Sequence, residues 1–216
     1  MASDGPTGRH DGMASTGTER DGARGAALDS LRGLALGDGF GRRWFSYAPE
    51  DAVAMIRARE APTEEPWRRT DDTAMALCVV RVLLRARAVD PEAPAREFAA
   101  AYEADPGRGH GYGTHELLPR PASEPGAWET RARPLFDGRG SLGNGAAMRV
   151  APLGAWFAGD PDRAAAEAAA SAAVTHTHPE GVAGAVAVTE GRRAPPATCS
   201  ARRPRPRPPD RSATGC

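Results

Sequence analysis

The residues best placed to do chemistry are Thr70, Asp71 and Asp72, in the stretch RRTDDTAMALCVV at 68–80. Two carboxylates stand side by side at the head of an apolar, helix-like run. One reading is structural: Thr70 is an N-cap, and the two acids sit in a first turn where the helix dipole favours anions. A cap does not need two adjacent acids, however, and their repulsion must be offset. A hard divalent cation does this. Mg²⁺ takes carboxylate and hydroxyl oxygens and keeps several waters.

Three other stretches carry polar groups between glycines. In LGDGFG (36–41), Asp38 is either an ordinary turn residue or a support or ligand for such a cation. In GRGSLGNGAAMR (138–149), glycines permit close approach of a ligand to the backbone. Exposed N–H groups at the head of a following helix suit phosphate, and Ser141 and Asn144 add hydrogen bonds. No Gly-Lys-Ser/Thr follows, and no strand precedes, so neither a Walker loop nor a dinucleotide fingerprint fits. In THTHPEG (175–181), His176 and His178 are two apart, ahead of Pro179. They could be a metal pair, an aromatic platform for a base, or a hydrogen-bonded helix start. The i, i+4 spacing of helix-borne zinc ligands is absent.

These residues must be held by helices. Leu28, Leu31, Leu34 and Ala35 share a face over 25–37, and Gly37 and Gly39 are expected to end that helix. A short helix is expected at 50–60. The strongest pattern is 71–88, where Met75, Leu77, Cys78, Val79, Val82 and Leu83 form a wide apolar face. Pro91 opens a helix to about 103, with Phe98 and Tyr102 four apart. Residues 144–158 are helix-like, with Pro152 predicting a kink or break. Further helices are expected from Asp160-Pro161 to about 174 and from Pro179 to 190. No alternating β-branched run reads as a strand. The segment 104–142 is rich in Gly and Pro and long for a passive connection, so it is a lid or binding loop, or an unstructured insertion.

Together and in this order, LGDxxG, TDDTAM, GNGAAMR and THTHPEG resemble the ADP-ribosylglycohydrolase family, over about residues 25–191. The resemblance implies an all-α fold, a compact orthogonal helical bundle, incomplete here at its C-terminal end. It implies that Thr70, Asp71 and Asp72 ligate magnesium in a binuclear centre. Asp71 and Asp72 then act in catalysis through the metal, with Asp38 as a further candidate. The Gly-Asn-Gly loop would embrace ADP-ribose through Ser141, Gly143, Asn144, Gly145 and Met148, with His176 lining the same cleft. The implied substrate is an ADP-ribosylated protein or an ADP-ribose-containing small molecule, and the implied reaction is hydrolysis of the glycosidic bond.

Two departures from the family pattern stand out. Phe45 occupies the place where a Glu is expected after the Gly-Asp motif, with Arg42 and Arg43 nearby. The family's late Asp-x-Asp-Thr motif has no counterpart after Gly191, so the resemblance implies that ligands of both metals are missing and that the second magnesium site is incomplete. The alternative is therefore a non-catalytic ADP-ribose-binding protein or an inactive pseudoenzyme.

Composition bounds the remainder. The 28 acids balance 28 bases, every one of them Arg. Residues 192–216 hold seven Arg and one Asp, so a basic tail follows a mildly acidic body. With 20 Pro and 25 Gly, the Arg usage reads as that of a GC-rich coding sequence, and a nucleic-acid partner is not expected. Residues 1–24 lack core-forming side chains and are expected to be disordered. Residues 192–216 are expected to be a Pro/Arg-rich disordered tail or an out-of-frame one. With three Cys and no Cys-x-x-Cys pair, a thiolate zinc site is not expected. No signal sequence and no long apolar run is present, so no membrane partner and a cytoplasmic location are expected.

Overall fold

The computed structural model describes residues 11–63, 66–119 and 126–191, with side chains from Arg20 onward. Among these residues the regular structure is entirely helical. The helices are α1 (Asp11–Trp44), α2 (Pro49–Ala58), α3 (Asp71–Ala86), α4 (Glu92–Ala104), α5 (Tyr112–Leu117), α6 (Ala127–Ala132), α7 (Ala151–Trp156), α8 (Pro161–Ala173) and α9 (Pro179–Glu190). The all-α expectation holds. The expected tail at 192–216 lies outside the described residues, as do residues 1–10 of the expected N-terminal segment.

Helix α3 is the central element. Thr70 caps it, its side chain accepting from the Asp72 N–H, and Arg87 ends it in the left-handed region with its N–H on the Leu83 carbonyl. Its buried Met75, Val79 and Leu83 meet Phe98 of α4 and Leu153 of α7 in one core with Val150 and Val174. Each of these side chains is almost fully withdrawn from water. Burial of that size contributes roughly 1.5–3 kcal/mol per large apolar side chain. Ala164, Ala168 and Ala172 are buried on α8, which packs against α9 with its buried Ala185.

Three expectations are corrected. Helix α1 does not end at Gly37–Gly39 but continues to Trp44. It packs along α7 and α3, and this contact offsets the helical cost of glycine, about 1 kcal/mol each. Trp67 lies beside Gly39 at ordinary contact distance, 3.6 Å from where a Cβ would stand, so space alone does not demand a glycine there. The same helix begins at Asp11, inside the stretch expected to be unstructured. The break expected at Pro152 is real but falls before the proline. Residues 144–149 form turns, and Pro152 sits in the first turn of α7, where its missing N–H costs nothing.

Candidate active site

Asp38 joins α1 to the head of α3. Its carboxylate accepts from the Thr70 N–H at 2.7 Å, the Thr70 hydroxyl at 2.7 Å and the Thr73 N–H at 3.3 Å, and from the Thr73 hydroxyl. Charge-assisted bonds of this kind are the strong ones. Asp38 is therefore more than an ordinary turn residue. It is the anchor that fixes the Thr-Asp-Asp turn.

Asp71 and Asp72 project from that anchored turn. The Asp71 N–H donates to the Arg108 carbonyl at 3.1 Å, tying the loop before α5 to the head of α3. Gly109 next to it takes φ +101°, a conformation that favours glycine. Both acids are held above the usual carboxylate range. For Asp71 the main cause is burial, with the Asp38 charge adding to it. For Asp72 it is burial, then the charges of Asp71 and Asp38. His110 stands behind Asp71, its Nδ1 3.7 Å from Oδ2, and burial first, then His115 and Arg108, push its pKa down. The neutral imidazole is thus favoured beside Asp71, which weakens any charge compensation from His110.

The Gly-Asn-Gly loop faces these acids across a cavity of about 530 Å³, within the range of small-molecule sites. Asp71, Asp72, Ser141, Asn144, Met148 and His176 all border it. The loop's closeness to its support is set by small residues. A Cβ on Gly145 would stand 2.9 Å from the His176 ring, and one on Gly181 would stand 2.5 Å from the Ser141 carbonyl. Ser141 Oγ accepts from the Gly143 N–H at 3.2 Å, which rigidifies the turn.

His176 is the strut beneath this loop. Its Nδ1 is 2.8 Å from Thr175 Oγ1, and that hydroxyl accepts from Arg149 Nη2 at 3.0 Å. Arg149 has donors only, so the Thr175 hydrogen is free for Nδ1, and Nε2 then carries the ring proton on the loop side. Burial and the Arg149 charge push His176 down to about 4. The imidazole is neutral at ordinary pH. His178 does something different: its Nδ1 accepts from the Glu180 N–H at 3.1 Å and so starts α9. Of the three readings of this pair, the hydrogen-bonded helix start fits His178, and a buried prop fits His176.

Sequence reasoning missed Arg149, His110 and Gly109. Arg149 is fully buried, over the Phe98 ring at 4.3 Å, and also donates to the Ser171 carbonyl at 2.6 Å. It is the last letter of GNGAAMR, and an Arg flanked by apolar residues was the available signal. His110 and Gly109 belong to GRGHGYG (107–113), whose alternating glycines were that segment's signal for a binding loop. Gly109, Tyr112 and Phe136 border the cavity, which favours the binding-loop reading of 104–142.

For a cation, Asp71, Asp72 and the Thr70 hydroxyl supply the right donor type, oxygen only. Burial first, and then the neighbouring carboxylates, disfavour the ionised form of both acids, and a bound cation would offset both effects. Among the described residues no three His, Cys, Asp or Glu side chains form a ready-made ligand set, and the Thr70 hydroxyl is engaged by Asp38. Phe45, in the expected position of a Glu, is exposed at the edge of the depression beside the acids.

The family model for ADP-ribosylglycohydrolase matches residues 19–194. The ADP-ribosylhydrolase ARH3 of Gallus gallus is 35% identical over 177 residues, 76% of this chain and 47% of that protein. ARH3 of Homo sapiens is 33% identical over 173 residues, 72% of this chain and 46% of that protein. ARH3 of Mus musculus is 38% identical over 173 residues, covering 72% and 45% respectively. The chain spans about half the length of the curated relatives it matches. No helix among the described residues is long and apolar enough to cross a membrane. An anchored Thr-Asp-Asp turn facing a glycine loop in an all-helical frame, together with these matches, means that the chain belongs to the ADP-ribosylglycohydrolase family.

Proposed function

We propose that this chain contributes to magnesium-dependent hydrolysis of the glycosidic bond between ADP-ribose and a protein side chain or small acceptor. The observation that carries the reading is the pair Asp71 and Asp72 facing the Ser141–Gly145 loop across one cavity. Magnesium, when bound by Asp71, Asp72 and Thr70, supplies charge compensation, orientation of ribose hydroxyls and activation of water. The protein's part is positional. The loop's close approach admits the diphosphate, with Asn144 as hydrogen-bonding side chain. Tyr112, Phe136 and Leu142 give the far end of the cavity an apolar rim. The fixed turn at Thr70 keeps both carboxylates in place without reorganisation during bond cleavage, when positive charge grows at the anomeric carbon. Water attacks that carbon, the bond to the acceptor breaks, and the acceptor leaves with a proton.

The test is release of free ADP-ribose from a modified protein at saturating Mg²⁺, compared with D71N/D72N. Turnover that the double variant retains would end the metal assignment. A second reading, ADP-ribose binding without catalysis, is favoured by Phe45, an apolar ring beside the acids. Stoichiometric ADP-ribose binding with no turnover decides for it.

A further inference from the structure

The cavity does not end at the carboxylates. It opens past Asp71, Asp72, Gly109 and Asn144 into a depression of about 610 Å³ that also includes Asp38, Arg42 and Phe45. Beyond Thr70 and Gly109 this continues as a groove of about 1010 Å³. The trough thus has three zones: an apolar rim and glycine loop, a carboxylate centre, and a basic end. Arg32, Arg42, Arg68, Arg69 and Arg108 border the basic end, against one carboxylate among the described residues, Asp105. Arg32 is paired with Asp29 and Arg108 with Asp105. Among the described residues, Arg42, Arg68 and Arg69 have no carboxylate partner. They are exposed, so the groove presents guanidinium forks that nothing described in the fold uses.

We propose that this groove receives an acidic peptide segment flanking the modified residue of a protein acceptor. The inference rests on the functional reading above: with ADP-ribose on the glycine-loop side, the acceptor leaves toward the arginines. Guanidinium forks match carboxylates bidentately. The groove wall adds exposed Leu36, Pro66 and Trp67, which suit peptide side chains. A nucleic-acid strand fits less well, because it needs free aromatic faces for stacking. Here the Arg43 guanidinium already lies over Trp67, 5.2 Å from the ring centroid, and Phe40 tilts against it at 6.0 Å.

The experiment measures equilibrium binding of four probes to the full chain. These are ADP-ribose, an ADP-ribosylated peptide with Asp and Glu around the modified residue, the same peptide with Asn and Gln, and an ADP-ribosylated oligonucleotide of equal charge. The acidic peptide is expected to bind about tenfold tighter than its amide counterpart at low salt. R68S/R69S should abolish that ratio and leave the Kd of ADP-ribose unchanged. R68E/R69E should instead prefer a peptide flanked by Lys, a gain that a misfolded variant could not show. Equal binding of the acidic and amide peptides overturns the proposal, as does tighter binding of the oligonucleotide. Failure of ADP-ribose itself to bind sinks the functional reading instead. The acidic-to-amide ratio, measured on the unmodified peptides, then still decides the groove.

Discussion

One carboxylate, Asp38, accepts from both the N–H and the hydroxyl of Thr70, each at 2.7 Å, across a sequence separation of 32. This pair of bonds makes the geometry of the Asp71–Asp72 turn depend on a residue in another helix. D38A should remove charge-assisted bonds to Thr70 and Thr73 and leave their N–H groups short of an acceptor. The expected loss is about 2–4 kcal/mol of stability. Chemical denaturation checks it, with a lower midpoint and an unchanged slope. The magnesium response should weaken in the same variant, because the turn that presents Asp71 and Asp72 is no longer held. A D38A protein with wild-type stability would show that α1 is fixed on α3 by packing alone.

Glycine 145 makes a sharper test of the loop. A methyl group there meets the His176 ring at 2.9 Å from Cε1 and 3.3 Å from Nε2. The ring cannot retreat, because Thr175 and Arg149 hold it from behind. The loop must therefore move outward into the cavity. G145A is expected to cost about 1–3 kcal/mol in stability, as overpacking does, and to weaken ADP-ribose binding on the order of tenfold. Calorimetric titration of ADP-ribose reads the second effect directly. Unchanged affinity would mean that the loop does not contact the ligand.

The sequence was most informative where local signals and tertiary demands agree. Helix α3 was expected at 71–88 and runs from Asp71 to Ala86, because Thr70 caps it and its apolar face is also its buried face. Asp160 caps α8 as expected, its side chain accepting from the Arg163 N–H at 3.1 Å. Local reasoning failed at Gly37 and Gly39, since propensity opposes a helix there and the contact with α7 and α3 overrides it. In the site, Thr70, Asp71, Asp72, Ser141, Asn144 and His176 were legible as polar groups in unusual company. For Asp38 a supporting role was one of the readings, but its partners were not legible, because they lie far along the chain. Arg149 was hidden for a related reason: a buried arginine reads as an exposed one until its neighbours are known.

The buried His176 predicts a pH effect with a definite sign. Its folded pKa is about 4, below the ordinary 6.5, chiefly through burial and then the Arg149 charge. Between those values the unfolded chain binds more protons than the native one, so this residue makes stability rise with pH across that window. The full difference corresponds to about 3 kcal/mol. Asp71 and Asp72, held high, act in the opposite direction on the acid side, so the wild-type curve alone is not diagnostic. The difference between wild type and H176Q isolates the histidine. Stability measured from pH 4 to 7 should rise less with pH in H176Q. Parallel curves would show that His176 is solvated in the native state.

The last prediction concerns the two acids themselves. Their folded pKa values lie above 3.8, Asp71 through burial and then the Asp38 charge, Asp72 through burial and the charges of Asp71 and Asp38. For a raised carboxylate the native state binds the extra proton. Stability from these groups is therefore present at low pH and is lost as pH rises through the folded pKa. At neutral pH without divalent cations, the pair should work against folding. D71N/D72N is then expected to melt at a higher temperature than wild type in chelator. Added Mg²⁺ should reverse the order, raising the wild-type midpoint and leaving the variant where it was. Saturation at 100 times Kd would stabilise the wild type by about 2.7 kcal/mol. The stabilisation should shrink on acidification, as protons compete with the cation for the same oxygens. Hydrolysis by the double variant should fall on the order of 100-fold or more, since the charge-stabilising centre is gone. A variant that is both more stable and inactive is the signature of acids placed for chemistry at the expense of the fold. A double variant less stable than wild type in chelator would instead make the pair a structural helix cap.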